Sequence, residues 1–179
     1  MNTRQTDWPR TWLMTDERLG DRLWEAVDRL PPHSGIVFRH YSLSSRERSS
    51  LAEQVALACQ KRNFKLAVAG DPSLAQALGA DLIHNPLTPV LNVPVSMAVH
   101  SFDEAQGAGD ASLVFVSPVF RTRSHPASEP LGPDLAQRLA KAAGVPAIAL
   151  GGMNARRFAK LEGFHGWAGI DAWLGDDGD

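Results

Sequence analysis

Residues 112–126 read SLVFVSPVFRTRSHP. A largely apolar run, 112–120, leads straight into two arginines, two hydroxyls and a histidine. The apolar positions are continuous, not alternating. Alternation marks a strand with one face in water, whereas a continuous run suits a strand covered on both faces, as in a parallel sheet wrapped by helices. Such a strand ends where the sheet meets solvent, so the polar cluster at 121–125 marks that end.

The same rhythm recurs along the chain. Runs at 11–16 (TWLMTD), 35–41 (GIVFRHY), 64–70 (FKLAVAG), 81–86 (DLIHNP), 93–100 (VPVSMAVH), 145–152 (VPAIALGG) and 166–173 (GWAGIDAW) bring the strand count to eight. Helical patterns separate most of them. Leu19, Leu23, Ala26, Val27 and Leu30 share one face of a first helix. Ser44 and Glu47 form a capping box that opens a second, with Leu51, Val55 and Ala58 inward. Asp71 before Pro72 reads as an N-cap followed by proline at the first helical position. Ser101 and Glu104 form another capping box, Leu135, Leu139 and Ala142 stripe a later helix, and Asn154 caps one carrying Phe158 and Leu161. The segment LTPVLNV at 87–93 is too short and too proline-interrupted for a helix.

Parallel strands joined by helices cross over right-handedly, and eight of them favour a closed α/β architecture, the (β/α)8 or TIM barrel, over an open sheet. The chain has 179 residues, short against the roughly 250 of a typical barrel. The reading is therefore a compact barrel over 1–179, with the fourth helix reduced, the eighth missing, and loose ends at 1–10 and 174–179. Composition is ordinary for a globular domain, at 44% hydrophobic and 21% charged. A formal net charge of −2 gives no sign of a nucleic-acid or anionic-membrane partner. The one cysteine, Cys59, excludes an internal disulfide and fits a reducing, cytoplasmic setting. No apolar run reaches the roughly 18 residues that a membrane span needs.

Barrel ligands bind at the C-terminal ends of the strands. Ionisable groups gather there: Asp16, Arg39, Asp71, His84, His100, the cluster Arg121, Thr122, Arg123, Ser124 and His125, and Asp171. Arg39 follows a buried strand, so its charge must be paired or face a cleft. Asp71 is either a helix cap or a ligand. His84 and His100 either bond to their surroundings or act in the cleft. Gly151 and Gly152 precede a helix start, where backbone N–H groups and the helix dipole favour a phosphate.

The segments LMTD, FRHY, GDPSLAQALGADLIH, VHSFDEA, SPVFRTRSHP and PAIALGGMN, in this order over about residues 11–173, resemble the thiamine-phosphate synthases and their thiazole-tautomerase relatives. The resemblance implies a (β/α)8 barrel that joins hydroxymethylpyrimidine diphosphate to thiazole phosphate and releases pyrophosphate. It implies phosphorylated pyrimidine and thiazole small molecules as partners, a magnesium ion (Mg2+) held by Asp71, and Arg39 meeting the diphosphate. Thr122, Ser124, Gly151 and Gly152 match the phosphate site, and Arg121 and Arg123 add cations to it. The chain departs from the family pattern at several positions. Tyr41 replaces a lysine, Gly70 an asparagine, Pro89 a metal carboxylate, His125 a lysine and Asp171 a phosphate-binding serine. An unpaired Asp171 would repel a phosphate. Three readings stay open: a synthase-like transferase, a tautomerase-like isomerase using His84, His100 or His125, and a non-catalytic binder of a phosphorylated ligand. A homo-oligomer is left open as well.

Overall fold

The computed structural model describes residues 7–124 and 126–175. Eight parallel strands close in chain order into one barrel. They are β1 (Thr11–Met14), β2 (Gly35–Phe38), β3 (Lys65–Ala69), β4 (Leu82–His84), β5 (Val95–Val99), β6 (Leu113–Val116), β7 (Ala147–Ala149) and β8 (Gly166–Gly169). All eight runs read from the sequence form strands, but each strand is shorter than its run, because the polar rim residues leave the ladder. The helices are α1 (Leu23–Asp28), α2 (Ser45–Arg62), α3 (Pro72–Ala77), α4 (Phe102–Gly107), α5 (Gly132–Ala143) and α6 (Ala155–Phe158). Between β4 and β5 the chain makes only turns and bends, and after β8 the described residues make only a 3-10 turn, Asp171–Leu174. Among the described residues the fourth helix is thus reduced and the eighth absent, as the sequence reading has it.

Local details differ from the sequence reading in instructive ways. The first helical face is buried as read, but the chain kinks at Gly20, with φ of 48°, inside a 3-10 segment, Glu17–Arg22, that precedes α1. The Ser44–Glu47 box is reciprocal. At α4 only half the box forms: Ser101 Oγ accepts from the Glu104 N–H, while Glu104 turns its carboxylate to the His100 N–H and ring. On α5 the inward residue is Ala143, not Ala142, since both fit the period after Leu135 and Leu139. Of the ends read as loose, residues 1–6 and 176–179 lie outside the described residues; in the described parts Trp8 and Leu174 are buried while Asp7, Arg10 and Gly175 are exposed. Trp24 is the one tryptophan among the five that is exposed.

Large side chains fill the barrel. The Trp12 and Phe115 rings, from β1 and β6, meet edge to face at 5.6 Å, and His84 from β4 meets Phe115 in the same way at 5.1 Å. These strands are not neighbours, so the rings touch across the interior. Trp12 fits because β2 offers Gly35 beside it: a Cβ there would lie 2.3 Å from the indole. Overpacking of this kind costs about 1–3 kcal/mol. Gly35→Ala is therefore expected to lower the free energy of urea unfolding by about 2 kcal/mol or more; an unchanged midpoint would mean that the indole does not fill this place.

Candidate functional site

A cavity of about 530 Å3 opens at the C-terminal ends of the strands. Among the described residues its lining carries four arginines, Arg39, Arg121, Arg123 and Arg157, against a single carboxylate, Asp171. His84, His100, Thr122, Ser124, Gly151 and Gly152 line it too. The structure therefore gathers the sequence-derived candidates at one rim, with three exceptions. Asp16 and Asp71 do not line the cavity, and His125 lies outside the described residues.

At the β1–β2 side the charges are mutually satisfied. Arg39 Nε donates to the Thr15 carbonyl at 2.8 Å, and its Nη2 lies 3.3 Å from Asp16 Oδ2. Burial lowers the Arg39 pKa while Asp16 opposes the shift; an arginine stays charged regardless. Arg18 Nε lies 3.1 Å from Asp16 Oδ1, and its Nη1 reaches Asp171 Oδ1 at 3.7 Å. Asp171 is thus paired, and the repulsion expected of an isolated carboxylate is offset by Arg18.

The β6–β7 side is different. Val119 N–H donates to the Leu150 carbonyl at 2.8 Å and Phe120 N–H to the Gly151 carbonyl at 3.0 Å, so pairing continues past the strands. Gly151 and Gly152 have φ of 95° and 60°. A Cβ on Gly151 would come within 2.7 Å of Pro118, and one on Gly152 within 2.3 Å of the Arg121 carbonyl. The glycines let the two loops touch, and their N–H groups donate to no partner among the described residues. The Thr122 and Ser124 hydroxyls lie 3.0 Å apart. Arg157, which the sequence reading missed, stacks its guanidinium over the Phe120 ring at 5.0 Å and donates to the Gly152 carbonyl. In sequence it is an ordinary polar residue in a short helix; only the folding of the β7 loop brings it to the cavity.

Histidine chemistry is constrained. His84 is buried, its Nδ1 is 3.1 Å from Ser96 Oγ, and burial pushes its pKa down to about 3. It is neutral near pH 7 and acts there as a hydrogen-bonding group, not as an acid. His100 is exposed, with Nδ1 3.0 Å from Glu104 Oε2.

The donor set does not fit the magnesium ion that the resemblance implies. Mg2+ takes oxygen ligands in near-octahedral geometry, usually one or two carboxylates plus substrate phosphates. Asp71 Oδ1 accepts from the Leu74 N–H at 2.9 Å, capping α3, and Oδ2 accepts from Arg48 Nη1 at 3.4 Å. Pro89 offers no side-chain donor. A Cβ on Gly70 would lie 3.6 Å from Leu87 Cγ and 3.8 Å from Tyr41 Cε1, so its nearest neighbours are carbon atoms. Among the described residues no three His, Cys, Asp or Glu side chains converge to hold a metal.

Comparison with known proteins places this geometry. The family model for thiamine monophosphate synthase matches residues 13–172. An Aquifex aeolicus protein named "Putative thiamine-phosphate synthase 2" is 27% identical over 93% of this chain and 98% of its own length. The thiamine biosynthesis bifunctional protein ThiM/ThiE of Symbiobacterium thermophilum is 32% identical over 78% of this chain and 32% of its own. Among solved structures, the thiamine phosphate pyrophosphorylase of Pyrococcus furiosus superposes with a TM-score of 0.77 at 21% identity, covering 93% of this chain and 87% of that one. An HpcH/HpaI aldolase of Desulfitobacterium hafniense gives 0.59 at 11% identity, over 94% and 89% of the two chains. Both structural likenesses show the barrel fold.

The depressed His84 pKa makes a sign-specific prediction. Between about pH 3 and pH 6.5 the unfolded chain binds the proton that the folded chain refuses. Stability should fall as pH drops through that window, by up to about 1.4 kcal/mol per pH unit from this group, and the contribution should be flat above it. Urea unfolding of the wild type and His84→Gln over a pH series checks this; parallel pH profiles for the two would contradict it.

Proposed function

The chain belongs to the thiamine monophosphate synthase family, and from that premise we propose that it is a thiamine-phosphate-synthase-like transferase of thiamine biosynthesis. It joins hydroxymethylpyrimidine diphosphate to thiazole phosphate and releases pyrophosphate. The observation that carries this reading is the charge of the cavity, four arginines against one carboxylate that Arg18 already pairs. In the reaction a carbon–nitrogen bond to the thiazole nitrogen forms as the carbon–oxygen bond to the diphosphate breaks. The leaving group takes the electron pair. Fixed cations beside its oxygens stabilise the charge that develops there. Arg121 and Arg123 reach these oxygens from the β6 loop, and neutral His84 on the cavity wall offers a ring N–H or lone pair without adding charge.

The substrates are phosphorylated small molecules, and the proposed setting is the cytoplasm. No helix of the described residues is long and apolar enough to cross a membrane. A second reading, a non-catalytic binder of a phosphorylated ligand, draws on the carbon surface that Tyr41 and Leu87 form over Gly70.

The direct test is formation of thiamine phosphate from the two substrates. Turnover is expected, and Arg123→Gln should lower kcat/KM by about tenfold or more while stability changes by less than about 0.5 kcal/mol. Ligand binding with no turnover at high enzyme concentration would replace the transferase reading with the second one.

A further inference from the structure

We propose that the cavity grips phosphate oxygens with guanidinium groups and without a divalent cation, Arg157 being the fixed cation of that grip. The inference rests on the transferase reading only for the identity of the phosphorylated substrates.

Two independent sets of contacts support it. The first is the fate of the metal-side positions. The one carboxylate that remains there, Asp71, holds the α3 N–H of Leu74 with one oxygen and Arg48 with the other. Arg48 is itself tied down, with Nε donating to the His40 carbonyl at 3.1 Å and Nη2 to the Ala69 carbonyl at 2.8 Å. Freeing Asp71 for a metal would leave an enclosed arginine short of a partner, which is costly. Beside Asp71, the atoms nearest to a Cβ built on Gly70 are carbons of Leu87 and Tyr41, and Pro89 has no side-chain oxygen to offer.

The second set fixes Arg157. Its own N–H donates to Asn154 Oδ1 at 2.9 Å, its guanidinium lies over the Phe120 ring, and it donates to the Gly152 carbonyl. A planar guanidinium stacked on a ring and anchored at one edge is oriented before any ligand arrives, so less freedom is lost on binding. Among the described residues no carboxylate pairs with Arg157 or Arg123. A half-buried cation that faces a cavity with no carboxylate partner of its own is suited to an anion brought by the ligand. The same wall supplies the Thr122 and Ser124 hydroxyls and the Gly151 and Gly152 N–H groups, all donors able to meet phosphate oxygens. Arginine serves here as a permanent charge that also donates hydrogen bonds in a fork matched to phosphate.

The test is calorimetric titration of the purified chain with inorganic phosphate and with inorganic pyrophosphate, each in excess EDTA and in millimolar Mg2+, corrected for the Mg2+–pyrophosphate complex. Binding is expected in EDTA, with affinities that agree with the Mg2+ values within about threefold, and Arg157→Gln should weaken phosphate binding by about tenfold. Arg157→Lys, which keeps the charge but loses the stacked fork, should weaken it less. Arg123→Gln, at an exposed position that does not endanger folding, should weaken it too. The proposal is overturned if neither anion binds in EDTA, if Mg2+ raises phosphate affinity by about tenfold or more, or if folded Arg157 variants bind as the wild type does. The transferase reading is tested separately. Metal-free phosphate binding with no thiamine phosphate formed would sink that reading and leave this inference standing, whereas turnover strictly dependent on Mg2+ would do the reverse.

Discussion

The active rim depends on one close approach, that of the β7 loop to the β6 loop. Backbone pairing of Val119 and Phe120 with Leu150 and Gly151 carries the barrel ladder beyond its strands. Gly151 and Gly152 make room for Pro118 and Arg121 at distances that no side chain would permit. The left-handed φ of both glycines removes the alternative of a larger residue bending away. Everything charged on this side hangs from that contact. It holds Arg121, Thr122 and Arg123 at the cavity edge, and it presents the Gly152 carbonyl to Arg157.

The two sides of the cavity follow opposite electrostatic plans. At β1, β2 and β8 an alternating chain, Arg39–Asp16–Arg18–Asp171, satisfies its own charges. At β6 and β7, Arg123 and Arg157 have no carboxylate partner among the described residues, and Arg121 has only a long, exposed contact with Glu129 at 3.9 Å. An exposed pair of that length contributes little. An anion entering the cavity is therefore drawn toward the β6–β7 side. Tyr41 marks a second contrast, since it stands where the resemblance has a lysine.

Much of the fold was legible because parallel barrel strands are buried on both faces and so read as continuous apolar runs. Their ends were not, since rim residues such as Arg39 and His40 extend the apparent run while leaving the ladder. The reciprocal cap at Ser44 could be read from spacing alone, but the fate of Glu104 depended on where His100 turned. Asp71 shows the limit at the site. Its cap to Leu74 is a local feature that Pro72 announces, whereas its ion pair with Arg48 joins residues 23 apart and has no local signature. Arg18 and Asp171 are separated by almost the whole chain, and Arg157 looks like any exposed helix residue until Phe120 is beneath it. Contacts made by tertiary closure decided which charges were spent within the protein and which were left for a ligand.

The central claim is that the β6–β7 loops form an anion site built from the chain's own donors. A crystal structure of the protein soaked with inorganic pyrophosphate in the presence of Mg2+ tests it most directly. The account predicts phosphate density against Arg157, Thr122, Ser124 and the Gly151–Gly152 backbone, with Asp71 still bonded to Leu74 and Arg48. Density for a metal ion on a released Asp71, with the β6–β7 loops empty, would contradict it.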